Sequence, residues 1–444
     1  MMQQVDGFMN LRNRFVVPST LPSCTRPEKA VMKSYQLTLT FNMALYLIED
    51  PVEKHSLHLH KNKFHTYKQA FLQGEKPDVK LLGRLFRFYK FFLMTPLSLE
   101  DGGNSTLAKY FSVLVSTLCL VYPFFSNYTY LRITKDIPAP VTTFLPRLLL
   151  SIMNSLFLVS SFLNANTFMQ ENWRAVLKSL DQAEYILRKL YFEPVRKDLR
   201  VTGELLFIFI PFLAATSFQI YSYGFSGNPD LFLCNGGAIL TYLCMCLFLF
   251  FMLRLNDILT TRYNFLEKEL QKTVFEQTKD QEKVRKLAEI ILLYKTFKIL
   301  IDDLNKVLGA PLFFYVCVIV SLLLTTFSIN MNVDNSDGYN NNITIHNIVA
   351  SVILIISMVV LIMSCNSVEV SGDKLVRTCY MLHEGCDSQP VKDQVMQLAE
   401  YAEQWKPNLS AAGFYNVNQS TLSAIFEAVI TYLVIIIQFN LALA

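Results

Sequence analysis

Glu427, Thr431 and Gln438 stand in one line on the last apolar run of a 444-residue chain. Each residue of an α-helix advances 100°, so Gln438 and Thr431 differ by about 20° in direction. Glu427 is again about 20° from Gln438 and about 16 Å along the axis. A carboxylate, a hydroxyl and an amide aligned in this way form one polar line along an otherwise apolar helix. The sequence contains no GxGxxG, Walker loop, HExxH or GxSxG. The chemistry expected is binding and permeation, without an enzyme site and without a cofactor.

Two other groups could in principle bind a metal. His55, His58, His60 and His65 lie beside Lys54, Lys61 and Lys63, and imidazole is a common ligand. The flanking lysines and the lack of Cys or carboxylate partners favour a solvated tail. The nine cysteines show no CxxC pair and no even framework. Most sit in or beside apolar runs, where cysteine behaves as a small hydrophobe. No metal site is predicted.

A third group is scattered through otherwise apolar segments: Ser151, Asn154, Thr216, Gln219, Tyr221, Tyr242, Thr325, His346, Asn347 and Ser351. Aromatic rings with a few hydrogen-bonding groups suit a pocket for a small organic molecule, although each residue could instead satisfy a neighbouring helix. Arg147 could meet an anionic ligand or reach to the membrane interface.

The elements that position these residues follow from composition. The chain is 52% hydrophobic and 17% charged, against about 25% charged in soluble domains. Its net charge of +4 is too small and scattered to indicate nucleic acid. Seven apolar runs are long enough to cross a bilayer as helices. They are Leu107–Tyr128, Val141–Thr167, Val201–Tyr223, Gly236–Leu253, Val307–Ile329, Ile345–Ser364 and Leu422–Leu441. Of the 40 Lys and Arg, fifteen lie from the N-terminus through Lys109. The gaps after the second, fourth and sixth runs hold seven, ten and four, and those after the third and fifth hold none. The positive-inside rule places the N-terminus in the cytoplasm and the C-terminus outside. Five N-x-S/T sequons occur, and only those at Asn127 and Asn342 then face outward, as candidate glycosylation sites.

Between the runs, Val79–Met94 repeats Arg84, Arg87 and Lys90 among Leu and Phe, a basic amphipathic helix suited to the inner leaflet. Residues 172–194, 263–300 and 370–405 have helical periodicity. The helices of runs four to six are expected to continue below the membrane and pack together there.

The last run identifies a relationship. Thr431, Tyr432, five apolar residues from Leu433 to Ile437, Gln438 and Phe439 match the pattern TY-hhhhh-QF without a gap. This resembles the signature of the insect gustatory receptor family, and Ala411–Leu422 is similar to that family's aromatic-rich approach to the last span. The resemblance implies an all-α, seven-span, ligand-gated, non-selective cation channel in the plasma membrane of chemosensory neurons. It implies assembly with other subunits as a homo- or heterotetramer, with lipid, permeating cations and a small-molecule tastant as further partners.

On that resemblance the chain divides into a disordered cytoplasmic tail (1–78), an amphipathic pre-span region (79–106) and spans one to six with cytoplasmic extensions and an outward-facing pocket (107–365). Anchor helices (366–421) and a pore-lining seventh span (422–444) follow. Gln438 would form the outer gate, with Phe439 beside it, Val434 or Ile435 along the pore, and Thr431 and Glu427 further in. Tyr432, about 120° off, would pack against other spans. Glu427 could alternatively pair with Lys406. The family's main sugar-sensing group resembles TYE where this chain has Leu433 after Tyr432, which points to a bitter plant compound, with a fructose-type receptor as the alternative. Rival classes are a G-protein-coupled receptor, which needs the opposite charge asymmetry, and a secondary transporter, which often shows repeated halves not visible here.

Overall fold

The computed structural model describes residue 94, 106–133, 141–190, 210, 212–214, 216–217, 229–332 and 338–443. The chain divides into units Met1–Lys76 and Pro77–Ala444, and all described residues belong to the second. The histidine-containing tail, Gln219, Tyr221 and all of the basic amphipathic segment except Met94 lie outside the described residues.

The described elements are α1 (Thr106–Ile133), α2 (Val141–Leu163), α3 (Gln170–Leu190), α4 (Pro229–Phe275), α5 (Asp280–Asn332), α6 (Gly338–Gly385), α7 (Gln389–Gln404), a two-strand hairpin of β1 (Ser410–Ala411) and β2 (Tyr415–Asn416), and α8 (Gln419–Leu443). The protein is mostly helical. Five helices contain segments long and apolar enough to cross a membrane: Lys109–Thr129, Phe144–Phe168, Ile239–Phe275, Asp280–Ile329 and Ile348–Gly385. They match the first, second, fourth, fifth and sixth expected runs. The third run lies mainly outside the described residues. The seventh is α8, whose 25 residues extend about 37 Å.

The side chains of α1 explain why such helices need lipid. Ser112, Ser116, Ser126, Asn127 and Thr129 are buried, whereas Phe111, Leu114, Leu118, Val121, Phe124 and Phe125 are exposed. In water this inverted pattern would cost burial energy on both faces. In a bilayer the tails are as apolar as leucine, and small polar residues hold the helices together. Ser112 Oγ, for example, donates to the Phe162 carbonyl at 3.1 Å, beside a π-helical turn at Asn164–Phe168 that joins α2 to α3.

Helices α4, α5 and α6 are 47, 53 and 48 residues long, or about 70–80 Å at 1.5 Å per residue, more than twice a hydrocarbon core. Each therefore runs without a break well past its apolar stretch, as the periodicity predicts. Helix α5 packs against α2, α3, α4, α6, α7, α8 and β1 and organises the bundle.

Beyond the apolar stretches the core is that of a soluble protein. Ser388 and Pro390 open α7, which turns Val391, Val395, Leu398, Ala399 and Ala402 inward, each fully buried. Burying one such Val or Leu is worth about 1.5–3 kcal/mol. Tyr263 of α4 and Tyr294 of α5 meet edge to face at 5.7 Å, and Phe297 lies 5.7 Å from Tyr263. Glu267 of α4 is buried between Lys374 Nζ at 2.8 Å and the Thr378 hydroxyl, which donates to it at 3.1 Å, so its charge is paired.

Candidate pore helix and ligand pocket

Helix α8 touches its own chain along one stripe. Leu422, Ile425, Phe426, Leu433 and Ile437 are half-buried and Val429 is buried, positions that fall within about 120° of one another on a helix. Gln438 lies about 180° from Val429, with Glu427 and Thr431 about 20° to either side. All three are exposed. The line read from the sequence is therefore the uncovered face of α8. Thr431 Oγ1 donates to the Glu427 carbonyl at 2.9 Å, leaving the Glu427 carboxylate exposed. Val434 and Ile435 flank the line and are exposed. Phe439 is helical, but its side chain is outside the described residues.

Two expectations around α8 resolve differently. Tyr432 is 56% exposed and does not pack into its own bundle as expected. It sits about 60° from Val429 and about 20° from Ile425, just past the edge of the contact stripe. Lys406 does not serve Glu427: its Nζ lies 2.9 Å from Asp373 Oδ1, and that hydrogen-bonded carboxylate raises the Lys406 ammonium above its ordinary range.

The start of α8 is held by side chains of α6 and by its own cap. Asn366 Oδ1 accepts from the Gln419 N–H at 3.3 Å, and Asn418 Nδ2 donates to Glu369 at 3.3 Å. The Thr421 N–H donates to Asn418 Oδ1 at 3.4 Å, an N-capping arrangement. Immediately before lies the hairpin, with Ser410 opposite Asn416 and Ala411 opposite Tyr415. Its turn places Ala412 at φ 53° and Gly413 at φ 79°. Glycine takes this left-handed conformation without the Cβ penalty that Ala412 meets. Burial raises the Tyr415 phenol above its ordinary range.

The pocket candidates lie on several helices. Ser151 and Asn154 are half-buried on α2, and Asn154 Oδ1 is fully enclosed with no hydrogen-bond partner among the described residues. One turn further along, Phe157 meets Phe248 of α4 at 5.9 Å and Tyr315 of α5 at 6.1 Å. The Tyr315 hydroxyl lies 2.9 Å from Ser357 Oγ of α6. Thr325 is buried on α5, ten residues or about 15 Å beyond Tyr315, with its hydroxyl donating to the Ser321 carbonyl at 2.7 Å. Ser351 Oγ lies 2.9 Å from the hydroxyl of Thr326.

Thus Ser151 and Asn154 lie on α2, Thr325 on α5 and Ser351 on α6, the helices that also carry Phe157, Tyr315 and Ser357. Tyr242 is buried on α4. Thr216 spends its hydroxyl on the carbonyls of Phe212 and Leu213 at 2.9 and 3.0 Å. His346, Asn347 and the sequon residue Asn342 lie near the start of α6, with side chains outside the described residues. Asn127 is 4% exposed, and its amide donates to the Pro123 carbonyl at 2.7 Å. Sequence reasoning missed Phe157, Phe248, Tyr315, Thr326 and Ser357. A tyrosine eight residues into an apolar run was the signal that could have found Tyr315. Among the described residues, no group of three or more His, Cys, Asp or Glu could hold a metal ion.

The sequence profile described as 7tm Chemosensory receptor matches residues 82–443. Among solved structures, the chain is similar to the insect olfactory receptor OR5 from Machilis hrabei in complex with eugenol. That match has 12% identity and a TM-score of 0.50, and it covers 82% of this chain and 100% of that one. A second structure of the same receptor matches at 11% identity and a TM-score of 0.43, covering 81% and 98%. No curated protein sequence matches the chain.

Proposed function

The chain belongs to the 7tm chemosensory receptor family, and on that footing we propose that it is one subunit of a ligand-gated, non-selective cation channel opened by a small-molecule tastant. The observation that carries this reading is the uncovered face of α8. A membrane helix that turns a carboxylate, a hydroxyl and an amide away from its own bundle requires water or other subunits there, because lipid would leave the carboxylate and the amide unsatisfied. One helix cannot enclose an aqueous path, so copies surround an axis, four of them by family resemblance. Cyclic symmetry repeats each contact. The orientation follows from the basic residues: N-terminus inside, C-terminus outside, and α7 with the hairpin in the cytoplasm.

The tastant site is the region above the Phe157, Phe248 and Tyr315 floor, where the enclosed Asn154 carbonyl offers an unmet acceptor. The neighbouring receptor's structure contains eugenol, a ligand of the same general kind as an apolar ring with polar substituents. The TY-hhhhh-QF sequence favours a gustatory role, and Leu433 after Tyr432 favours a bitter compound over a sugar. A panel of bitter compounds, sugars including fructose, and odorants on cells expressing the chain, read by calcium entry, tests the assignment. Responses to fructose alone would overturn the bitter assignment, and responses needing a G protein would overturn the channel.

A further inference from the structure

One face of α5 grips the hairpin through its main chain at two positions and through its rings at a third. Asn305 Nδ2 donates to the Asn408 carbonyl at 3.0 Å, and the Ser410 N–H donates to Asn305 Oδ1 at 2.9 Å. One side-chain amide thus satisfies both polar groups of a passing strand, as a neighbouring strand would. One turn along, a Cβ on Gly309 would meet the Ala412 backbone nitrogen at 2.8 Å and its Cα at 3.1 Å. Those atoms belong to the hairpin backbone, so the helix and hairpin touch at a distance only glycine permits. Another turn along, Phe313 lies 5.0 Å from Phe414 and 6.3 Å from Tyr415. Positions 305, 309 and 313 follow the four-residue spacing of one helix face.

We propose that this face of α5 is the seat that sets the position of the pore helix, with Asn305 and Gly309 as positioning residues for gating. The inference rests on the reading of α8 as the pore helix. The same helix carries Tyr315 and Thr325 of the tastant region, so displacement of α5 by a ligand moves the hairpin with it. The hairpin leads in three residues to Gln419, where α8 begins. A second hold comes from α6, where the Pro407 ring fills the space a Gly372 side chain would need. Loss of either hold loosens the start of α8, which Asn366 and Glu369 still tether, without touching its exposed face.

The test uses the full chain in intact cells, with calcium entry in the absence of tastant measured per surface-labelled receptor. Asn305→Ala and Gly309→Ala should change that entry by about threefold or more, the shift expected for loss of one or two hydrogen bonds. Asn305→Asp, which keeps the acceptor for Ser410 and loses the donor to Asn408, should fall between. Gly385→Ala, whose added methyl meets nothing within 4 Å, should match wild type. A second readout needs no current: the rate at which an impermeant methanethiosulfonate labels Gln438→Cys should differ in the Asn305→Ala and Gly309→Ala backgrounds. If Gly309→Ala fails to reach the surface, Asn305→Ala, which adds no atoms, decides. Wild-type entry and wild-type labelling in both variants would overturn the seat. If Gln438→Cys is never labelled and Gln438→Ala leaves entry unchanged, the pore reading falls and takes the seat with it.

Discussion

Lys406 Nζ lies 2.9 Å from Asp373 Oδ1, so the lysine expected as a partner for Glu427 is engaged elsewhere. The carboxylate is left exposed on the face of α8 that its own bundle does not cover. Carboxylates repeated around an axis attract cations and repel anions. Glu427→Gln should therefore reduce cation conductance or divalent permeability while leaving the tastant dose–response midpoint in place. Single-channel recording with bi-ionic reversal potentials is the measurement, and unchanged conductance and selectivity would remove the carboxylate ring.

Gln438 occupies the opposite end of the same line, about 16 Å away. If its amide closes the path by hydrogen-bonding across the axis, Gln438→Ala should alter the ligand-free current or the current at saturating tastant. The effect should appear in patch recordings at equal surface expression. A variant with wild-type currents in both conditions would place the gate elsewhere.

The Tyr294 hydroxyl donates to the Trp405 carbonyl at 2.9 Å and to that of Ala402 at 3.3 Å, tying α5 to the end of α7. Tyr294→Phe removes the donor and keeps the ring. It should cost about 1–3 kcal/mol, seen as a lower melting temperature of the detergent-solubilised protein, while Tyr401→Phe, whose ring stacks on Trp405 at 6.3 Å, should cost less.

Orientation has its own test. An epitope after Ala444 should label on unpermeabilised cells, and one before Met1 only after permeabilisation. The reverse pattern would invert the assignment of the basic loops.

Assembly is measurable without a ligand. The solubilised particle should carry four chain masses, and Tyr432, 56% exposed in the single chain, should be covered in it. Protection of Tyr432→Cys from thiol reagents in the particle, compared with its labelling in dissociated chains, checks the second part. A monomer that conducts would refute both.

Much of this architecture was legible because bilayer thickness imposes a length on apolar runs. Five of the seven runs return as helices with membrane-crossing length and apolarity, and the line of Glu427, Thr431 and Gln438 follows from helical periodicity alone. The seat on α5 was not legible. Gly309 and Asn305 look unremarkable in a helical run, and their role depends on a strand arriving from a hundred residues away. Tyr315 and Ser357 escaped for the same reason: either hydroxyl alone reads as a tolerated polar group, and only the fold shows them 2.9 Å apart. Tyr432 was misplaced because direction around a helix says which way a side chain points but not whether its own chain reaches that far.

The grip of α5 on the hairpin has a consequence for how such a chain can drift. Asn305 bonds to a carbonyl and an N–H, and Gly309 abuts a backbone nitrogen, atoms that nearly every amino acid supplies alike. The bonds themselves therefore do not read the side chains of Asn408 or Ala412, whereas Leu409 and Ala411 between them are buried and constrained by packing. Substitutions at the exposed hairpin positions can accumulate while the connection persists, whereas the two α5 positions have few acceptable replacements. A coupling built on the common scaffold of the polypeptide lets the rest of a receptor change its letters, and with them its ligand, without rebuilding the linkage that opens it.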